Sequence, residues 1–334
     1  MSLSIFHDMM TLEEFLSEWH NDSPSVLVHT SGSTGQPKPL WAEKRRMEAS
    51  ARITCAFLGL KPGDSALLCM PLDYIAGKMM VVRALTCGLR LYNVAPDGHP
   101  LAALHSTLDF AAMVPLQVYN SLQVPEERDR LMQIRHLIIG GGAIDETLAR
   151  ELQSFPHAVW STYGMTETLS HIALRRLSGP TASEWYTPFD GVRVSLSADG
   201  CLVIDAPAVC AQQLVTHDLA KIDGQGRFRI LGRKDNVVCS GGVKIQIEEA
   251  EALLRRHTSV PFLISKRSDE KFGEAVVLLT EEADASPLLA LCRRVLPRFW
   301  QPRYCRTVER LPFTATGKPA RKEAEALAAL AVEV

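Results

Sequence analysis

His136-Leu137-Ile138-Ile139-Gly140-Gly141-Gly142-Ala143 is a short apolar run that breaks into three glycines and then into a helical segment opening near Asp145. A strand that ends in small residues ahead of a helix is what an open α/β sheet presents to a ligand at the carboxyl ends of its strands. Further apolar runs at 66–70, 89–92, 110–114 and 158–160 alternate with helix-like segments, of which one places Met47, Ala51, Cys55 and Leu58 on a single face. This rhythm predicts a layered α/β fold with mostly parallel sheets. From Val192 the texture changes to short alternating strands at 192–196, 201–205, 213–216 and 227–231, a small β subdomain. An α+β segment follows, with a helix over 247–257, strands over 260–265 and 274–280, a helix over 287–297 and a terminal helix over 323–334. The expected domains are 1–235 and 236–334, with the boundary at Asp235.

The chain has 334 residues, 46% hydrophobic and 22% charged, enough apolar content for a real core, which excludes disorder. A net charge of -2 lacks the basic excess of a nucleic-acid binder, so an anionic ligand must be met by local groups. Eight cysteines, several within apolar runs and none in a C-x-x-C pair, read as reduced core residues of a cytoplasmic protein. No apolar stretch is long enough for an export signal or for membrane insertion.

The residues that carry chemistry fall in separate stretches. Thr30-Ser31-Gly32-Ser33-Thr34-Gly35-Gln36-Pro37-Lys38 follows the apolar run Val26-Leu27-Val28. Its glycines let backbone N–H groups approach an anion, its hydroxyls donate, and Lys38 adds compact positive charge, which suits a polyphosphate; the spacing is not that of a Walker loop. Gly140, Gly141 and Gly142 suit a flat base laid against backbone. Trp160-Ser161-Thr162-Tyr163-Gly164-Met165-Thr166-Glu167-Thr168 repeats the strand-to-turn pattern: Tyr163 offers a stacking face, Thr166 a hydroxyl to phosphate, and Glu167 a hard oxygen for Mg2+ held on a triphosphate. Asp218, in Thr216-His217-Asp218-Leu219, is suited to accept from two ribose hydroxyls, and Gly232-Arg233-Lys234-Asp235 puts a second acid at a strand end. Pro312-Phe313-Thr314-Ala315-Thr316-Gly317-Lys318-Pro319-Ala320-Arg321 is a near-terminal loop whose lysine can reach into a site.

In this order the stretches resemble the adenylate-forming superfamily of acyl-CoA synthetases, peptide-synthetase adenylation domains and luciferases, from about Val26 to Arg321. The resemblance implies ATP, Mg2+ and coenzyme A acting on a small carboxylic acid. It implies that loop 30–38 holds the β- and γ-phosphates, that Gly140–Gly142 and Tyr163 border the adenine, that Gly164 and Met165 belong to the cofactor site, and that Thr166 touches the α-phosphate. Glu167 would bind Mg2+, Asp218 and Arg233 the ribose, and Lys318 would bridge the attacking carboxylate and the α-phosphate. Asp235 would be the hinge of a small mobile C-terminal lid, and the loop with Gly241, Gly242 and Lys244 would line the pantetheine tunnel. Within the superfamily, Ser161–His171 and Gly232–Gln246 resemble the o-succinylbenzoate:CoA ligases of menaquinone biosynthesis.

Three departures stand out. Only 29 residues precede the phosphate loop where the family has a long segment, so a shortened N-terminal subdomain is expected. The usual Pro-Leu-Phe-His-x-x-Gly is Pro71-Leu72-Asp73-Tyr74-Ile75-Ala76-Gly77, which makes Asp73, Tyr74 and Gly77 candidates for the acyl pocket. His217 replaces the glycine before the ribose-binding acid, a change expected to concern local backbone shape. Other aryl or fatty acids, amino-acid activation and non-catalytic nucleotide binding are the competing readings, and the oligomeric state, a homo-oligomer included, stays open.

Overall fold

The computed structural model describes residues 9–29, 39–104, 106–142, 144, 146–314 and 318–334. Its contacts gather the chain into two units: the first holds the described residues up to Arg193 and Ile204–Leu214, the second Val194–Val203 and Val215–Val334. Residues 215–235 therefore group with the C-terminal segment.

The first unit begins with α1 (Leu12–His20), opened by a reciprocal box in which Thr11 accepts from the Glu14 N–H while the Glu14 carboxylate accepts from the Thr11 N–H. Strands β1 (Ser25–His29) and β2 (Pro39–Glu43) pair antiparallel, so the phosphate-loop stretch, itself outside the described residues, joins two paired strands. Then come α2 (Lys44–Leu58), β3 (Ser65–Leu68), α3 (Ile75–Cys87), β4 (Arg90–Asn93), β5 (Phe110–Met113), α4 (Pro115–Gln123), α5 (Pro125–Met132), β6 (His136–Ile139), α6 (Glu146–Gln153), β7 (Ala158–Gly164), β8 (His171–Arg176) and β9 (Thr187–Pro188). Seven strands form one sheet in the order β4-β3-β5-β6-β7-β8-β9, parallel from β4 to β7 and antiparallel from β7 to β9.

Alternation along these strands makes two cores. Ala66, Leu68, Phe110, Ala112 and Ile138 face Met47, Ala51, Cys55 and Leu58 of α2 together with α3, whereas Leu67, Ala111, Met113, Leu137 and Ile139 pack with Val118, Leu131 and Leu148 on the other face. Helices on both faces of a parallel sheet place the strand ends, not the faces, at the disposal of a ligand. The predicted rhythm holds here almost strand for strand.

Strands β10 (Arg193–Leu196), β11 (Cys201–Asp205), β12 (Leu214–Ile222) and β13 (Phe228–Arg233) form a four-stranded sheet in sequence order. Beyond it the second unit has β14 (Val237–Ser240), β15 (Val243–Gln246), α7 (Ile247–Arg255), β16 (Phe262–Asp269), β17 (Gly273–Thr280), α8 (Ser286–Val295), β18 (Tyr304–Thr307), α9 (Arg321–Ala328) and β19 (Val332–Glu333). Val238, Ile245, Leu254, Ile264, Val276, Leu278 and Cys292 are central to its core. The terminal helix is thus shorter and earlier than predicted: it stops at Ala328, and Val332 pairs with Cys305 on β18. No helix among the described residues is long and apolar enough to cross a membrane.

Candidate functional site

In the first unit the site residues gather at the carboxyl ends of β6 and β7. A Cβ on Gly140 would overlap Thr162 Oγ1 on the neighbouring strand, and Gly141 has φ +79, so glycine is required by the turn's own packing. Gly164 ends β7 against the next turn, where a Cβ would overlap the Ser170 carbonyl oxygen. Between them Thr166–Thr168 form one 3-10 turn with Thr166 buried and Glu167 exposed. Leu169, at φ 63, is the only non-glycine residue with positive φ among the described residues, and it is buried. Such strain is held only where surroundings over-determine it. Here the Ser170 N–H donates to Thr168 O at 2.7 Å and Thr168 Oγ1 donates to Ser170 O at 2.7 Å. Tyr163 is half-buried, its ring 5.8 Å from that of Tyr186, and Met165 precedes the turn in extended geometry.

The expected acyl-pocket stretch leads into α3. Gly77 sits where a Cβ would overlap the Pro71 carbonyl oxygen, which accounts for glycine by close backbone approach. Asp73 Oδ1 lies 3.5 Å from the Met10 N–H, and Tyr74 is exposed. Farther along α3 are two buried cations that sequence reasoning missed. Lys78 pairs with Glu18 of α1 at 3.1 Å and lies 5.0 Å from the centre of the Phe15 ring. Arg83, only 2% exposed, has no carboxylate within ion-pair distance among the described residues. It donates to Ser170 Oγ at 2.5 Å and approaches Met80 Sδ at 3.6 Å, and its Nε is buried without a partner. Burial pushes the Arg83 guanidinium down to about 10, still charged at neutral pH, while burial keeps the neighbouring Cys55 thiol neutral by raising it. A charge of this kind destabilises a fold unless something meets it.

In the second unit the antiparallel register of β12 and β13 sets Asp218 opposite Arg233. Arg233 donates to Asp218 Oδ1 at 3.2 Å and to Asp235 Oδ2 at 3.2 Å, and His217 Nδ1 lies 2.9 Å from Asp235 Oδ2. His217, expected to matter for backbone shape, therefore also engages the expected hinge acid. Burial alone would raise the Asp235 carboxyl, but hydrogen bonds and charge from His217 and Arg233 hold it below the usual carboxylate range. Lys318 is half-buried; burial first, then the Arg233 charge, lower its ammonium, and Asp218 opposes them. Arg233 is thus shared between two carboxylates, and Lys318 feels both Arg233 and Asp218.

In the Lys318 segment the Thr314 N–H donates to Lys318 O at 2.7 Å and Phe313 bridges Pro319; 315–317 lie outside the described residues. The stretch with Gly241, Gly242 and Lys244 forms the β14–β15 hairpin, whose turn glycines have φ 57 and φ 83. Lys244 is exposed there, opposite Cys239. Thr30, Ser31, Gly32, Ser33, Thr34, Gly35 and Lys38 lie outside the described residues.

A doubly wound sheet with glycine turns at its strand ends, followed by a β sheet carrying an Asp–Arg pair and a turn carrying a lysine, defines an adenylate-forming fold. A family model described as AMP-binding enzyme matches residues 7–200. A solved acyl-CoA synthetase (AMP-forming)/AMP-acid ligase II-like protein from Dyadobacter fermentans is 33% identical, covering 93% of this chain and 91% of its own, with a TM-score of 0.64. A 2-succinylbenzoate–CoA ligase from Bacillus cereus strain Q1 is 25% identical over 93% of this chain and 72% of its own length. The o-succinylbenzoate CoA synthetase of Bacillus subtilis, solved with its acyl-adenylate intermediate, is 23% identical over 89% of this chain and 68% of its own, with a TM-score of 0.75, and shows the shared fold. The chain belongs to the AMP-binding enzyme family, as an AMP-forming ligase.

Proposed function

We propose that the chain activates an aryl dicarboxylic acid, 2-succinylbenzoate, in two half-reactions. One carboxylate of the acid attacks the α-phosphate of MgATP, forming an acyl-adenylate and releasing pyrophosphate. The thiolate of coenzyme A then attacks the acyl carbon, forming the thioester and releasing AMP. The first step brings two anions together, so the protein's contribution is positioning and charge neutralisation. Lys318 would bridge the acid and the α-phosphate, Thr166 would hydrogen-bond the α-phosphate, and Glu167, exposed on its turn, would complete the shell of the Mg2+ that arrives on the nucleotide. Asp218 would accept from the ribose, held in place by Arg233. The hairpin with Gly241, Gly242 and Lys244 would serve coenzyme A after a rotation at Asp235, with water excluded in each closed state.

The observation that carries the choice of acid is Arg83: a buried cation, unmatched by any carboxylate among the described residues, bonded to a residue just beyond the Thr166–Glu167 turn. A second carboxylate on the substrate would supply the missing charge, whereas a fatty acid would leave it unmet. The names of the relatives agree with this choice. Pyrophosphate release across 2-succinylbenzoate, benzoate, medium-chain fatty acids and amino acids tests it. Release with 2-succinylbenzoate at a KM at least tenfold below that of benzoate is expected; turnover preferring a monocarboxylic acid would remove the dicarboxylate reading.

A further inference from the structure

Behind Arg83 lies a run of hydrogen bonds whose direction can be worked out atom by atom. Thr54 Oγ1, on α2, is 3.0 Å from the Ser50 carbonyl oxygen one turn back and 3.2 Å from His171 Nε2. A carbonyl oxygen only accepts, so the Thr54 hydroxyl hydrogen goes to Ser50 and its lone pairs face the ring. His171 Nε2 must therefore carry a hydrogen. The ring is buried and packed edge-on at 5.5 Å against Phe189. Burial, then the charge of Arg83, hold its pKa well below the ordinary value. In the neutral ring Nδ1 is then an acceptor, and it receives the Ser170 hydroxyl at 3.1 Å. Ser170 Oγ is left with lone pairs alone, and it presents them to Arg83 Nη2 at 2.5 Å. With the Thr54 hydrogen on the Ser50 carbonyl and the ring neutral, the donors and acceptors run in one direction from α2 to Arg83.

We infer that His171 is a positioning residue for the acid: through Ser170 it fixes the Arg83 guanidinium in the orientation that receives the substrate's second carboxylate. The inference rests on the dicarboxylate reading given above. A reversed relay, with the Ser170 hydrogen turned toward Arg83, would oppose two donors and push the guanidinium away. The backbone supports the same arrangement, because Gly164 admits the Ser170 carbonyl and the strained Leu169 turns Ser170 and His171 toward α2 and α3.

The test measures KM for 2-succinylbenzoate, KM for MgATP, kcat and thermal stability in His171→Leu, His171→Asn, Ser170→Ala, Thr54→Val and Arg83→Gln, with 15N shifts reporting the His171 tautomer. His171→Leu and Ser170→Ala should raise the acid KM about tenfold, the loss of one buried hydrogen bond to a charged group. The MgATP KM should stay within about twofold. His171→Asn, which keeps an acceptor facing Ser170, should restore most of the acid KM. Thr54→Val, two bonds away and nearly isosteric, should shift the ring toward the Nδ1–H form and raise the acid KM in the same direction, which keeps the test decisive if His171→Leu fails to fold. An acid KM raised in Arg83→Gln but unchanged in Thr54→Val and His171→Leu would discard the relay and leave the dicarboxylate reading. An acid KM unchanged in Arg83→Gln would discard both, and an Nδ1–H tautomer in the parent protein would discard the relay alone.

Discussion

Arg83 and Arg233 carry the same charge in opposite settings. Arg83 lies inside the first unit, bonded to a hydroxyl and unmatched by any carboxylate among the described residues. Arg233 lies half-exposed in the second, touching both Asp218 and Asp235. The difference separates a group that waits for charge from a group that directs it. A buried cation without a counter-charge lowers stability unless a partner meets it. The charge of Arg233 is already met by Asp218 and Asp235, and its field helps to lower the Lys318 ammonium. Under the proposed function the second carboxylate of the acid would meet a charge that has no counter-charge among the described residues, whereas the ribose would meet an acid already paired with an arginine.

The largest effect is expected at Lys318. Lys318→Ala should lower acid-dependent pyrophosphate release by about 10^2 to 10^3, the usual cost of one preorganised transition-state donor, while thioester formation from supplied acyl-adenylate stays within a few-fold. Equal losses in both half-reactions would break the assignment of Lys318 to adenylation alone. Because burial and Arg233 lower the Lys318 ammonium, its proton leaves at lower pH than that of a free lysine. The alkaline limb of pyrophosphate release should accordingly lie below the free-lysine value, and Lys318→Arg should move that limb out to higher pH.

Next in size is the pair of arginines itself. Arg83→Met should raise the acid KM about 30-fold or more, since truncating one partner of a buried charge pair costs about 2 kcal/mol or more. The same change should raise Tm by about 2–4 °C, because an apolar side chain of similar volume removes an unmet buried charge. Arg233→Met should do the reverse, lowering Tm slightly and weakening MgATP rather than the acid. If both variants lose stability and both weaken the same substrate, the contrast between the two settings is wrong.

Much of this was legible in sequence, and the parts that were not share a cause. The strands at 66–70, 110–114 and 136–139 were readable because a parallel strand covered on both faces is a continuous apolar run closed by small residues. The glycines at 140, 164 and 77 were legible as candidates for a ligand, but not the contacts of the fold that each makes room for, with Thr162, Ser170 and Pro71. The hairpin at Gly241-Gly242 looked like a loop because its strands, four residues each, are too short for alternation to register. Arg83 escaped because a charged residue in the apolar run Met79-Met80-Val81-Val82 reads the same whether it reaches solvent or is buried. Its partner Ser170 is 87 positions away, and local pattern carries no trace of such a contact.

The smallest effect, and the one that defines the edge of the comparison, belongs to His217. Its ring meets Asp235 at 2.9 Å, yet the two side chains are 60% and 48% exposed, so the pair sits in high dielectric and is screened. An exposed pair of this kind contributes about 0–1 kcal/mol, and His217→Ala should shift Tm by no more than about 2 °C at low ionic strength and by nothing measurable in 1 M salt. Its kinetic consequence is predicted to be different in kind. Asp235 is shared between His217 and Arg233, so losing the histidine leaves the carboxylate to Arg233 alone, tightening the hold on the expected hinge. Thioester formation from supplied acyl-adenylate should then slow while pyrophosphate release is preserved, the mirror image of Lys318→Ala. A His217→Ala protein that keeps both half-reactions at parent rates would return this histidine to a surface contact without a part in the cycle.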